Sequence, residues 1–506
     1  MAVVQAAFHF HRVDSLPVGD FSYQVRQLVV PEASSWESHS DVVIDWGDPA
    51  CTINPEAIVQ ADAAGHAASL FGRSWLHFHR PTQTLTFAVD RLGVFPILLF
   101  HKEFSTFIAS DAPALSQLLG NEARPDQQAL IDLLGFGQLL GDHSGLRGAQ
   151  HLYAGTIGEI NVDGQLHLQN ALPFSLPESI ASPSQAIEAL IIAMDKRLHA
   201  DPDALLYLQG NLESLTLLAA ARAAGYRPRL LCYGELNSAE LKLAEQAAEI
   251  ADVELYIGVL TPQHFHSARY VTAQLGGGEV PLFRSHALVC AELVARTRGT
   301  TLITATGGQM FRGLSELPFE SQLTQLKQAF PHLIEPLRER LQSHLQIYPN
   351  EMAAYLGETL RRRDIADLQL LMRDYARSHP FLDPEVIDVL SGLPIETMRY
   401  GHFYRQALEV LNPALAALPC PRYLREESII YPNNVNGAAV NCDSIWFYSA
   451  LQNMGLNEND IRDGAKHLLQ DSEPDQRIHF TGILGAYNGW ANYLANRQTS
   501  FSHSRA

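Results

Sequence analysis

The chain has 506 residues, 46% of them hydrophobic, enough for two or three domains of roughly 150 residues with substantial cores. Its 55 acidic against 36 basic residues give a formal charge of -19, a field that repels nucleic acid and anionic membrane surfaces and so excludes a polyanion partner. Five cysteines (Cys51, Cys232, Cys290, Cys420, Cys442) are odd in number and widely spaced, which reads as reduced thiols rather than a disulfide or zinc framework. The stretch MAVVQAAFHFHRVD has neither a basic leader nor a cleavage pattern, and no apolar run approaches the roughly 20 residues that span a bilayer. The expected location is the cytoplasm, with no membrane partner.

To about residue 170, short alternating or apolar runs sit between turn residues, as strands do. Ser74–His79, Leu85–Val89, Phe95–Phe100 and Thr156–Ile160 are the clearest, the last running into the turn Asn161-Val-Asp-Gly164. Two facing sheets would bury them. Residues 171–185, ALPFSLPESIASPSQ, shift to Pro, Ser and isolated charges and read as a linker. Strands and helices then alternate: helix Ser184–His199, strand Ala204–Leu208, helix Leu212–Ala224, strand Arg229–Tyr233, helix Ala239–Ala251, strand Val253–Val259, and strand Thr301–Thr304 before a glycine-rich turn. Alternation of this kind predicts a parallel, doubly wound sheet with its ligand beyond the carboxyl ends of the strands. Residues 315–480 read as predominantly helical.

The segment ALLYLQGNLESLTLLAAARAAG (Ala204–Gly225) carries the most chemistry: an apolar strand enters a tight polar turn that opens a long apolar helix. The helix start offers unpaired N–H groups and a positive dipole end, and Gly210 allows close approach, which suits a phosphate; a plain strand-to-helix connection is the alternative. This turn resembles the pyrophosphatase loop Ser-Gly-Gly-x-Asp-Ser of asparagine synthetases, β-lactam synthetases and lasso-peptide cyclases. Here it is Gln209-Gly210-Asn211-Leu212-Glu213-Ser214, in which Gly210 and Ser214 match and Glu213 keeps the carboxylate.

Further segments resemble the same family in the same order. LLCYGELNSAELKLAEQAAEIADVELYIG, with Tyr233, is similar to the adenine-side strand and helix, and Gly278–Phe283 resembles the Glu-x-Pro stretch that borders the nucleotide. LITATGGQMFRG resembles the turn Gly-x-Gly-x-Asp, with Gly307 and Gly308 matching and Gln309 at the aspartate position. His379-Pro-Phe-Leu-Asp-Pro384, followed by Gly392-Leu-Pro394, resembles the Pro-Phe-Leu-Asp helix start. In the first part, Asp90, Arg91, Gly93 and Pro96 match the Asp-Arg-Leu-Gly-x-x-Pro-Leu hairpin, and HLYAGTIGEINVDG resembles the Pro-Gly-x-x-x-x-Val strand. The similarity covers about 70–450.

The resemblance implies α/β and α+β architecture. Residues 1–170 would form an Ntn-amidotransferase-like β-sandwich with flanking helices. Residues 171–185 would link it to an adenine-nucleotide α-hydrolase-like doubly wound parallel sheet with a helical C-terminal part, over 186–506. Ala2 stands where glutamine-dependent members carry a nucleophilic cysteine, and no cysteine precedes Cys51, so glutaminase activity is not expected.

By the same resemblance the cofactors are ATP and Mg2+. The nucleotide would meet Gln209, Gly210, Asn211, Glu213, Ser214, Tyr233, Gly307 and Gly308, and the metal Glu213 and Gln309, with the side chains of Gln209 and Asn211 pointing into the phosphate space. Glu213 and Arg425 would be catalytic, Arg425 and Arg422 standing in for the family's lysine; the alternative for both arginines is a solvated surface. His9 with His11 and His264 with His266 read as satisfied or exposed histidines rather than metal ligands. Gly276-Gly277-Gly278 reads as a flexible loop over the cleft rather than a second phosphate cradle.

Three functions remain open at this point. One is an AMP-forming, ATP-dependent amide synthetase or cyclase acting on a peptide or small amino-acid-derived substrate in specialised-metabolite biosynthesis. Another is a degenerate pseudo-synthetase that binds a peptide or scaffolds an active synthetase. The last is a site for a different nucleotide or acyl-adenylate.

Overall fold

The computed structural model describes residues 6–12, 21–27, 33–60, 72–102, 105–169, 180–285, 287–288, 297, 301–312, 319–365, 375–420, 458–467 and 474–503. Eleven strands precede residue 170: β1 (Ala6–Arg12), β2 (Phe21–Gln27), β3 (Ala33–Glu37), β4 (Asp41–Gly47), β5 (Arg73–His79), β6 (Thr84–Ala88), β7 (Leu98–Lys102), β8 (Ser105–Ala109), β9 (Ala149–His151), β10 (Ile157–Ile160) and β11 (Leu166–Gln169). They form two antiparallel sheets, ordered β2-β1-β8-β7-β9 and β11-β10-β6-β5-β4-β3. Leu76, Phe78, Leu85 and Phe87 of one sheet share a core with Leu99 and Ile108 of the other.

The expected strand at Phe95–Phe100 starts only at Leu98. Pro96 has no N–H for a ladder, and the chain just before it is held by Asp90, whose carboxylate accepts the N–H groups of Gly72 and Val94 at 2.8 Å each.

After α1 (Ala112–Leu119) and α2 (Gln127–Phe136), a parallel sheet follows the antiparallel ones. Helix α3 (Pro183–Ala200) opens it with a capping box between Ser182 and Gln185 and proline at its first position, which satisfies the helix-start N–H groups. Strands β12 (Leu205–Tyr207), β13 (Arg229–Glu235), β14 (Leu255–Leu260), β15 (Thr301–Ile303) and β16 (Ala376–Ser378) then pair in the order β14-β13-β12-β15-β16, every pair parallel.

The chain enters this sheet at its middle, builds outward to β14, and resumes at β15 on the other side of β12. In open sheets of this kind such a reversal opens a crevice beyond the carboxyl ends of the flanking strands, here β12 and β15. Helix α4 (Leu212–Ala223) runs from β12, with its first ten residues all buried, as suits an apolar helix at the centre of a layered fold. Helix α5 (Ala239–Ala251) ends at Asp252 in a left-handed conformation, so β14 begins at Leu255 and not at Val253.

Two features depart from the sequence expectation. The helical region contains β16, whose three residues carry too little pattern to read. The segment Tyr355–Asp364 is a π-helix, a wide-turned form found mostly at functional sites. The change of sheet type falls between Gln169 and Pro183, and the two halves are fastened closely. Helix α6 (Pro474–His503) packs Trp490 and Leu494 against Ala112, Ala114 and Leu115 of α1, and Phe480, Ile483 and Leu484 against a cluster containing Leu133 of α2 and Leu323. No helix among the described residues is long and apolar enough to cross a membrane.

Candidate functional site

The crevice is bounded on one side by the turn leaving β12. Gly210 sits at φ 65°, and a Cβ there would stand 2.7 Å from Cγ of the buried Glu240, so the turn requires glycine for both conformation and space. Asn211 is the N-cap of α4: its Oδ1 accepts the Ser214 N–H at 2.9 Å. The Ser214 hydroxyl donates to the Asn211 carbonyl at 3.1 Å and accepts the Gln209 N–H at 3.2 Å. Asn211 therefore folds back onto its own helix instead of projecting into the phosphate space, because a cap satisfies a backbone donor that would otherwise be orphaned. The Cys420 thiol covers the Gly210 carbonyl at 3.1 Å.

The other wall is the turn after β15. Gly307 has φ 89°, and a Cβ on it would overlap Leu382. A Cβ at Gly308 would stand 2.8 Å from Cγ of Glu213, which is 1% exposed. The fold thus brings Gly210, Glu213, Ser214, Gly307, Gly308 and Gln309 together from two separate turns.

Gln309 is engaged from a third element: its Nε2 donates to Asp364 Oδ2 at 2.7 Å, and the Tyr355 hydroxyl donates to the same oxygen. The hydroxyl of Tyr404, buried on the helix His402–Leu411, donates to the Gly308 carbonyl at 2.6 Å. Tyr233 stacks on Tyr207 of the adjacent strand, with ring centroids 5.3 Å apart and planes within 4°. Sequence reasoning missed Glu240, Tyr355, Asp364, Tyr404 and Cys420. Each arrives from an element distant in the chain and carries no local motif.

Other expected site residues lie elsewhere. Arg422 and Arg425 fall outside the described residues, as do Ala2, Cys290 and Cys442 and the side chains of His9, His11 and His266. His264 accepts the Thr261 N–H through Nδ1 at 3.0 Å and so caps its helix. Among the described residues no group of three or more His, Cys, Asp or Glu is arranged to hold a metal.

Gly278–Phe283 turns away from the crevice. Glu279 accepts the Gly145 N–H at 2.7 Å and faces Arg362 at 3.7 Å, while Gly277 packs 2.7 Å, measured from its ideal Cβ position, from Ala112. Gly277 is thus a contact point between the two halves, and Gly276 and Gly278 pack against Val280 and Trp490 rather than forming a free loop over a cleft.

The Pro-Phe-Leu-Asp start is likewise part of the seam between the halves. Asp383 receives both ends of the buried Arg197 guanidinium, at 2.7 and 2.8 Å, and Arg197 also reaches Asp48 at 2.9 Å. Asp48 further accepts the Ser378 hydroxyl at 2.7 Å and the His379 N–H at 3.0 Å. Burial by itself would raise the Asp48 pKa, but Arg197 and these donors outweigh it and hold the carboxyl below its ordinary range. His379, 2% exposed, is pushed down to about 3 by burial, and its Nδ1 lies 2.9 Å from the Thr304 hydroxyl.

A second fastening comes from the π-helix. Glu358 accepts the Gly141 N–H at 2.9 Å, contacts His344 Nε2 at 2.7 Å and accepts the Tyr348 hydroxyl. Arg361 donates to the carbonyls of Gly141 at 2.7 Å and Leu152 at 3.0 Å.

No protein family and no curated protein sequence matches the chain. Among the solved structures that align with it are two at 10% identity. One is the glutamine phosphoribosylpyrophosphate amidotransferase of B. subtilis complexed with ADP and GMP, with a TM-score of 0.21, covering 50% of this chain and 75% of that one. The other is described as the allosteric regulatory enzyme of purine biosynthesis, with a TM-score of 0.20, covering 51% and 74%. Scores of this size do not establish a shared fold or activity.

Proposed function

We propose that the chain is a catalytically degenerate relative of AMP-forming amide synthetases that serves as a binding or scaffold subunit for a peptide or for an active partner enzyme. One observation carries this reading: two N–H donors of the β12–α4 turn are taken by the turn's own side chains. Asn211 Oδ1 sits on the Ser214 N–H and the Gln209 N–H is taken by the Ser214 hydroxyl. A phosphate held there needs free N–H groups at the helix start and no acceptor oxygen in front of them. Gln309, neutral where the resemblance places a magnesium aspartate, has its amide engaged by Asp364.

Titration calorimetry with ATP and Mg2+, joined to a pyrophosphate-release assay over candidate peptide and amino-acid substrates, tests the reading. The expected result is neither binding nor release. Pyrophosphate release that disappears in Glu213→Ala would overturn it.

A second reading, an active ATP- and Mg2+-dependent amide synthetase or cyclase with no glutaminase step, draws support from the placement of Glu213. The Glu213 side chain remains against Gly308, its Cγ 2.8 Å from where a Cβ on that glycine would stand, and a hard cation beside a triphosphate would need an oxygen ligand such as its carboxylate. Arg425 would supply the positive charge in that case.

A further inference from the structure

We propose that Gln309 and Tyr355 form a receiving site for an anionic oxygen of a ligand, and that Asp364 is an internal carboxylate occupying that site and displaced when the ligand arrives. Two neutral donors, the Gln309 amide and the Tyr355 hydroxyl, converge on one oxygen of Asp364, the first at 2.7 Å. Among the described residues no ion pair joins Asp364, and its charge is answered there by these hydrogen bonds. Bonds to a charged acceptor are the stronger kind, which makes this pair of donors selective for an anion.

The place is also the one a ligand would use. Gln309 follows the Gly307–Gly308 turn at the carboxyl edge of the parallel sheet, beside the point where strand order reverses. Asp364 and Gln309 are both half-buried, within reach of solvent, whereas Tyr355 is buried and fixed behind them.

The element that delivers Asp364 is suited to letting go. The π-helix Tyr355–Asp364 has the wide turn that costs backbone packing relative to an α-helix. Its middle is pinned to the first half of the chain through Glu358 and Arg361, buried and multiply bonded. Among the described residues the Asp364 side chain is bonded only by the two donors named, while Ile365 beside it is buried. A ligand carboxylate or phosphate that takes Gln309 and Tyr355 therefore frees the Asp364 side chain without breaking the pinned middle. This is binding by exchange of one anion for another, and it requires no metal.

The test is calorimetry on the full chain with inorganic pyrophosphate and, separately, succinate, both without Mg2+. Asp364→Ala should bind one of them at least ten-fold more tightly than the unaltered protein, and Asp364→Asn, which keeps the shape and removes the charge, should change in the same direction by less. Adding Gln309→Leu to Asp364→Ala should abolish the gain. A gain with pyrophosphate alone assigns a phosphate ligand, and one with succinate alone a carboxylate. No gain with either probe in a variant that still melts cooperatively overturns the proposal, as does a gain that survives Gln309→Leu. Loss of the fold in both Asp364 variants overturns it too, since a contact the fold requires is not one a ligand can displace. The unaltered protein's ATP turnover decides the functional reading above and leaves this outcome untouched.

Discussion

The seam between the two halves and the crevice at the parallel sheet treat polar groups in opposite ways. Along the seam, charges are buried and matched: Arg197 lies between Asp48 and Asp383, and Glu358 gathers Gly141, His344 and Tyr348. In the crevice two of the groups that the resemblance assigns to a charged cofactor, Asn211 and Gln309, are neutral and already engaged, Asn211 by the Ser214 N–H and Gln309 by the Asp364 carboxylate. A family-like aspartate is therefore no guide to chemistry by itself. Asp383 and Asp90 serve the architecture, and the altered residues lie in the turns after β12 and β15.

The sharpest way to break this contrast is to remove Arg197. Arg197→Met leaves Asp48 and Asp383 buried without their cation, and removing one partner of such a network costs about 3–5 kcal/mol. Denaturant unfolding should show a loss of that order, and Asp48→Asn added to Arg197→Met should recover part of it. A loss below about 1 kcal/mol would mean that the seam charges are solvated in solution.

The pH dependence separates two kinds of buried carboxylate. Asp48 and Glu358 titrate below their ordinary range. For both, burial works in the raising direction and is outweighed, by Arg197 and the Ser378 hydroxyl at Asp48 and by His344 and Arg361 at Glu358. Their stabilisation is present above the unfolded-state pKa and is lost as pH falls through the lower folded value. Asp90 is the reverse: burial lifts it to about 6 against the lowering effect of the Val94 and Gly72 N–H groups. Its contribution is complete below the unfolded value of 3.8 and is lost as pH rises through about 6. Thermal melts of Asp90→Asn should thus lose the decline that the unaltered protein shows between pH 4 and 6, while keeping the acid collapse below it. An unchanged slope would show Asp90 to be ionised throughout.

The smallest effect concerns the crevice turn. Asn211→Ala removes an N-cap and should cost about 1 kcal/mol, whereas Asn211→Gly should cost only a few tenths. If Asn211→Ala proves neutral by denaturant unfolding, the cap is not formed in solution and the helix start is open to a ligand after all.

Much of the parallel sheet was legible because its signals are local. Leu212–Ala223 and Ala239–Ala251 follow from apolar periodicity, and β12 and β13 from short apolar runs between turn residues. The Asn211 cap was legible as well: asparagine directly before an apolar helix is a strong start signal, but the resemblance to a phosphate loop pointed its side chain the other way. Asp364 could not be found. Its place beside Gln309 depends on a π-helix, whose wider turn no sequence period announces, and on packing between segments 55 residues apart. Glu279 was misplaced for a related reason: the motif around it fits a nucleotide border, and only the position of Gly145 and Arg362 turns it to the seam.

Helix α6 also sets an order of events during synthesis. Trp490 and Leu494 complete the cluster around Ala112, Ala114 and Leu115, and the Trp490 indole N–H donates to the Gly145 carbonyl at 3.3 Å. At about 5–20 residues per second, several hundred residues separate the emergence of α1 from that of its cover, a wait on the order of tens of seconds. The half of the protein that leaves the ribosome first is finished last, and until then that apolar face waits for its native cover.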